Sequence, residues 1–143
     1  MKKINFSANN FVQPVTRFNP EDKQKPVFCF EIISSQSSRD EIKLVKQEAR
    51  QSKELLEKIN ILSSLTWEDI IKDSRKTNGY EYIQVKQLKG CEWLKKIFEN
   101  RNEDRIMVFR VKTNSKSRLL GFREGRVFKV CCYDNNGVLY SHD

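Results

Sequence analysis

The stretch from Arg105 to Asp143 constrains the fold most, because runs of strand-forming residues alternate there with turn chemistry. Ile106–Lys112, Arg118–Arg123, Arg126–Tyr133 and Val138–Tyr140 read as strands. They are separated by Thr113-Asn114-Ser115-Lys116, Glu124-Gly125 and Asn135-Asn136-Gly137, which predicts an antiparallel meander. Side chains alternate along a strand, so two-residue loops at Glu124-Gly125 and Asn136-Gly137 fix the register. Phe122 then faces Val127, Leu120 faces Lys129, Arg118 faces Cys131, Tyr133 faces Tyr140 and Cys131 faces His142. One face is expected to carry Arg118, Lys129, Tyr133, Tyr140 and His142. The other carries Leu119, Gly121, Phe128, Val130 and Cys132 and reads as a core.

The upstream sequence supplies the cover for that core. Phe6, Phe11, Phe18 and two prolines lie in residues 1–25, read as an extended arm that packs on the rest of a single domain spanning 1–143. Val27–Ile33 is a short apolar run expected to be a strand. Ser38-Arg39-Asp40-Glu41 has the form of a capping box, and Ile42, Val45, Ala49, Ser52, Leu56 and Ile59 follow at helical spacing, predicting a helix over Ser38–Leu62. Thr66-Trp67-Glu68-Asp69 starts a second helix, with Leu65 placed to staple onto Ile70 and Asn78-Gly79 as its stop. Trp67 reads as a core anchor. Tyr80–Leu88 alternates as a strand, with Tyr80, Tyr82 and Gln84 on one side and Glu81, Ile83 and Val85 on the other. Cys91, Leu94, Ile97 and Phe98 have the spacing of a short helix. The fold expected is α+β, with helices packed on one face of a twisted antiparallel sheet that ends in the β-meander.

Charge narrows the partners. The 143-residue chain carries a formal charge of +8, and residues 105–143 hold eight Lys and Arg against three Asp and Glu. Such a field favours polyanions such as nucleic acid; the alternative is a soluble basic protein with no such partner. Cys29, Cys91, Cys131 and Cys132 lack paired metal-site spacing and read as unpaired thiols, with adjacent Cys131 and Cys132 on opposite faces of a strand. No signal-peptide-like or membrane-spanning run is found, so a cytoplasmic location without membrane partners is expected.

Phosphate-loop, dinucleotide, zinc-protease and nucleophile-elbow motifs are missing, and the chain has one histidine. Cleavage of RNA by its own 2′-hydroxyl remains compatible with a sheet face of Arg, Lys, Tyr and His. It needs a proton acceptor, cations at the phosphorane and a proton donor, and no metal or other cofactor. Arg118 and Lys129 are the candidates for phosphate charge, Tyr140 or His142 for proton transfer, Tyr133 for stacking, and Arg123, Arg126 and Lys86 for further RNA contacts. Each also has a structural reading: a solvated sheet face for the cations, a cross-strand pair for Tyr133 and Tyr140. Arg75 and Lys76, at the end of the Trp67 helix, read equally well as charges complementing its C-terminus.

The order strand, helices, meander, with Arg118-Leu119-Leu120-Gly121 and a late Val138-Leu139-Tyr140, resembles the RelE/ParE superfamily of small toxins. Leu65-Thr66-Trp67, Asn78 to Ile83, Gly121-Phe122-Arg123, Val127-Phe128, Asp134 and Tyr140-Ser141-His142 also resemble a little-characterised family of prokaryotic proteins of similar length. The first resemblance matches Arg118 to the RelE-type phosphate-binding arginine and Tyr140 to its tyrosine, and sets Lys86 and Lys89 where RelE-type enzymes carry a lysine pair. It implies a metal-independent endoribonuclease of a toxin–antitoxin system, acting on RNA, in some cases ribosome-associated mRNA, and held by an antitoxin protein. The alternative it leaves open is a non-catalytic module that binds nucleic acid or, in the ParE manner, a protein target.

Overall fold

The structure, a computed structural model, describes residues 19–35, 49–135 and 137–140. Three consecutive strands, β3 (Arg105–Arg110), β4 (Arg118–Glu124) and β5 (Val127–Asp134), form the centre of a sheet. β2 (Tyr80–Gln84) adds antiparallel to β3, and β1 (Val27–Cys29) adds parallel to β5, giving the order β1-β5-β4-β3-β2. The α+β class follows, with a mixed rather than wholly antiparallel sheet. A parallel pair requires a long connection, and here it is the whole chain from β1 through β2, β3 and β4 to β5. The run at Val27–Ile33 does not stay extended. It turns helical at α1 (Glu31–Ser35), so Ile33 and Ile32 enter different apolar clusters.

Helices cover both faces, which corrects the expectation of one covered face. α2 (Ala49–Ser63) and α3 (Trp67–Lys72) bury Leu55, Leu62, Trp67 and Ile70 against Met107, Phe109, Leu119, Phe128 and Val130. α4 (Glu92–Asn100) buries Leu94 and Phe98 against Ile106, Val108, Leu120 and Phe122 on the reverse face. The sequence of β3 carries the reason: Ile106, Met107, Val108 and Phe109 are all buried, and a continuous apolar run marks a strand dry on both sides. Full burial of each such side chain contributes about 1.5–3 kcal/mol, so the two clusters hold the sheet from both sides.

The β4–β5 register shows where alternation holds and where it breaks. The hairpin turns at Gly125-Arg126 rather than Glu124-Gly125, so Phe122 pairs with Lys129 instead of Val127. That shift moves partners by two residues and leaves every side chain on its expected face. Between Leu120 and Gly121 the register then slips, Gly121 pairing with Val130 and Leu120 with Cys132. Cys131 is the extra residue of a β-bulge, and alternation inverts beyond it. Cys131 and Cys132 therefore join one cluster, on the α4 side, and Tyr133 joins the other, on the α2 side. Both reverse the sequence expectation. Lys129 and Arg118 keep their expected face.

Local capping fixes the rest. Thr66 Oγ1 accepts from Asp69 N at 3.1 Å while Asp69 Oδ2 accepts from Thr66 N at 3.0 Å, a capping box at the helix start expected there. Trp67 is fully buried and its indole N–H donates to the Arg126 carbonyl at 2.9 Å. Among the described residues no strand follows β5, so the expected strand at Val138–Tyr140 does not form. The Asp134 carboxylate accepts from Val138 N at 3.1 Å and Leu139 N at 3.0 Å, and Lys89 N donates to Leu139 O at 2.7 Å, so 137–140 folds back over the α4-side face. Of the proposed arm, residues 19–25 pack on the body: Asp22 pairs with Arg123 at 2.6 Å, and Trp67 N donates to Gln24 O. Residues 1–18 and the Ser38–Glu41 capping box lie outside the described residues.

Candidate functional site

A row of charged side chains crosses the α4-side face where β2, β3, β4 and β5 run together. Arg118, the first residue of β4, pairs with Arg110 on β3 and with Asp134 on β5. Glu81 pairs with Val108, which makes it the diagonal neighbour of Arg110 on the same face. Alternation places all four with Val108 and Leu120 and away from Phe109 and Leu119. Strands lie about 4.8 Å apart, so the row spans about 15 Å. Asp134, busy with the amides of Val138 and Leu139, also draws Tyr140 over the row.

Tyr140 bridges the row. Its hydroxyl stands 3.5 Å from Glu81 Oε2 and within hydrogen-bonding reach of the Arg118 guanidinium. Burial first, and then the Glu81 carboxylate, push its pKa above the ordinary tyrosine value, with Arg118 opposing. The phenol is therefore protonated at neutral pH and can donate. Glu81 Oε1 is held by Arg75 at 2.6 Å, from the loop between α3 and β2.

Two arginines opposite one another on adjacent strands repel. Arg118 is 4% exposed and its Nη1 donates to Ser115 O at 2.6 Å and Ser117 O at 3.0 Å, yet its buried Nε has no partner, and neither has the buried Nε of Arg110. Unpaired buried guanidinium donors are costly. Arg75, Arg110 and Arg118 against Glu81 and Asp134 leave the group with an excess of one positive charge, which favours an anion.

The sequence-predicted residues divide around this row. Arg118 and Tyr140 are brought together. Lys129 shares their face but lies five residues along β5 from Asp134, about 15 Å away, paired with Glu124 at 3.1 Å. Tyr133 is on the opposite face, fully buried, its hydroxyl 3.5 Å from Gln51 O of α2; the bulge at Cys131 removes it from any shared site with Tyr140. Arg123 lies over the Trp67 ring and pairs with Asp22. Arg126 sits in the β4–β5 turn, its Nε donating to Lys25 O at 3.2 Å. Lys86 is exposed on the turn after β2, beside a pocket of about 290 Å³ that Lys95, Phe98 and Glu103 also line. His142 lies outside the described residues.

Sequence reasoning passed over Glu81 and Arg110. Both are charged residues on faces otherwise apolar, Glu81 alternating with Ile83 and Arg110 following Val108, and that break in pattern was their signal. Among the described residues no helix is long and apolar enough to cross a membrane. The fold and site together define an α+β protein with a positively charged row on one sheet face. The chain matches no protein-family model, no curated protein and no solved structure.

Proposed function

We propose that the chain is a metal-independent endoribonuclease of the RelE/ParE-like toxin type, acting on RNA at the Glu81–Arg110–Arg118–Tyr140 row. The observation that carries this reading is the approach of Glu81 to Tyr140 beside two guanidiniums with unpaired buried donors. Glu81 takes the 2′-hydroxyl proton, the 2′-oxygen attacks phosphorus, and the bond to the 5′-oxygen breaks as that oxygen takes the Tyr140 proton. The products are a 2′,3′-cyclic phosphate and a 5′-hydroxyl. Arg110 and Arg118 meet the charge on the phosphorane, a role that loses about 100-fold or more in rate when one such donor is removed. Within this reading the chain works in the cytoplasm, the substrate is RNA, including ribosome-associated mRNA, and an antitoxin protein restrains it.

The test is inducible expression in a bacterial host, wild type against Arg118→Lys and Glu81→Gln, with thermal melts to confirm folding, followed by cleavage of an oligoribonucleotide by the purified proteins. Growth arrest that depends on both residues, and cleavage abolished by a 2′-O-methyl group at the cut site, support the reading. RNA binding without cleavage would replace it with the non-catalytic module; activity undiminished in both variants would reject the site.

A further inference from the structure

We infer that Arg75 is a phosphate-responsive positioning residue: in the free protein it neutralises Glu81, and on substrate binding its guanidinium transfers to an RNA phosphate and releases the carboxylate to act as base. This rests on the RNA reading of the row. Glu81 Oε1 is tied to that guanidinium at 2.6 Å, and Oε2 stands 3.5 Å from the Tyr140 hydroxyl. Both carboxylate oxygens are therefore engaged, and Oε1 can meet an incoming hydroxyl only once Arg75 lets go.

The geometry lets the side chain move while its backbone stays. The loop from Asp73 to Gly79 is tied down from several directions. Lys58, 5% exposed on α2, donates to Thr77 O at 2.6 Å and Asn78 Oδ1 at 3.0 Å. Thr77 Oγ1 donates to Asp73 Oδ1 at 2.6 Å, Gly79 N donates to Ser74 O at 2.8 Å, and Thr113 Oγ1 from the β3–β4 turn reaches Lys76 O at 3.3 Å. A side chain at Gly79 would stand 2.8 Å from the Ser74 carbonyl, so the chain passes itself too closely there for any other residue. The Arg75 side chain is 55% exposed, and its bond to Glu81 is the one its guanidinium makes among the described hydrogen bonds and ion pairs. A fixed anchor with a long, solvent-facing guanidinium can exchange one acceptor for another at little cost in order.

Electrostatics gives the direction of exchange. With Arg75 on Glu81, the excess positive charge sits over Arg110 and Arg118, whose buried Nε donors are unpaired. A phosphodiester bound there presents oxygens to the neighbouring guanidinium, and bidentate arginine–phosphate pairing is strong. The phosphate thus competes with Glu81 for Arg75, and binding frees the base.

The test is a double-mutant cycle on binding of a 2′-O-methyl oligoribonucleotide, which cannot be cut, using wild type, Arg75→Ala, Glu81→Gln and the double variant. Removing Glu81's charge raises affinity in any case. If Arg75 is shared between carboxylate and phosphate, Glu81→Gln strengthens binding more when Arg75 is present than when it is Ala, by about threefold or more. Arg75→Ala is also expected to weaken the salt dependence by about 0.7 in log–log slope, the value of one single-strand phosphate contact, and Arg75→Lys to restore it. Additive affinities, or an unchanged slope in Arg75→Ala, would overturn the inference while leaving RNA cleavage by the row standing. Coupling without cleavage of unmodified RNA would uphold Arg75 as a phosphate-responsive group and reject the nuclease. Absence of binding by the wild type would overturn both.

Discussion

Gly121→Ala is expected to destabilise the protein more than its single added methyl group suggests. Gly121 sits at the bulge between β4 and β5, and a Cβ there would collide with the Lys129 carbonyl oxygen and stand 2.7 Å from the Phe128 ring. Carbon–carbon contact is comfortable at about 3.5 Å or more, so the ring must retreat by roughly 1 Å. It has little room. Phe128 packs edge-on against Phe28 at 5.7 Å and Phe109 at 5.2 Å, and both Phe109 and Phe128 are fully buried. Overpacking of this kind costs about 1–3 kcal/mol. Contact with backbone as well as side chain places it near the upper end, and the unfolded-state gain from replacing glycine returns less than about 1 kcal/mol. A net loss of about 2–3 kcal/mol, at about 3 °C per kcal/mol for a chain of this length, lowers Tm by roughly 6–9 °C. Gly90→Ala is the control: Gly90 has φ +73 with no atom within 4 Å of an added Cβ, so it carries only the left-handed backbone cost of about 1–2 kcal/mol. Urea and thermal unfolding of both variants would measure the difference. Gly121→Ala no worse than Gly90→Ala would refute the close strand approach and the bulge with it.

Three further outcomes are expected. Thr66→Ala should lose about 1 kcal/mol, the worth of an N-cap, with urea unfolding as the check. On the proposed reading, RNA cleavage assayed with chelator should persist without divalent ions, and RNA binding at rising salt should weaken with a log–log slope of roughly −2 to −4 for about three to five phosphate contacts. Stability should fall as pH rises above about 9, because burial pushes the Cys131 thiol up to about 12 and raises Cys132, Tyr80, Tyr133 and Tyr140 above their ordinary values. The unfolded chain releases those protons first, at about 8.5 for Cys and about 10 for Tyr, so the native state holds more protons in that window and loses ground as pH climbs. Lys58, whose pKa burial lowers, works in the opposite sense but is one group against five. Urea midpoints that do not fall between pH 7.5 and 10.5 would contradict the burial of these groups.

Much of the architecture could be read from residue order because local and tertiary preferences agree there. Thr66 and Asp69 cap as their types dictate, and the strand expected over Tyr80–Leu88 alternates as far as Gln84, with Tyr80 and Ile83 in separate clusters, before Val85–Gln87 turns into a 3-10 helix. The displaced hairpin turn did no harm to the faces, since moving a partner by two residues preserves alternation. The bulge did. Val130-Cys131-Cys132-Tyr133 is a continuous apolar run, buried throughout, and such a run carries no mark of which residue is the extra one. Asn136-Gly137 has hairpin chemistry, yet the carboxylate of Asp134 captures the amides of Val138 and Leu139 before a ladder can form, a competition that short polar side chains often win.

Those two departures are also what assembles the row. Without the extra residue at Cys131, the register set by the turn would place Arg118 opposite Tyr133, and Asp134 would fall on the other face and lose its place beside the arginine. Without the capture of the Val138 and Leu139 amides, the chain would continue as a strand in the sheet plane, and Tyr140 would sit beside β5 instead of over Arg118 and Glu81. Each irregularity gives up ladder hydrogen bonds that a regular meander would have made, and bulges recur where a side chain must be re-aimed. The consequence can be measured. Asp134→Asn keeps the size of the side chain but gives up charge and one amide acceptor, so it should release Tyr140 from the row while leaving Leu119, Phe128 and Val130 packed on α2. Native-state hydrogen exchange is expected to show early loss of protection at Val138 and Leu139 with the β4–β5 ladder unchanged, together with a Tyr140 pKa that falls toward the ordinary tyrosine value as burial is lost. Protection lost across the whole ladder would mean that Asp134 holds up the sheet itself, and the separation drawn between a regular scaffold and an irregular site would fail.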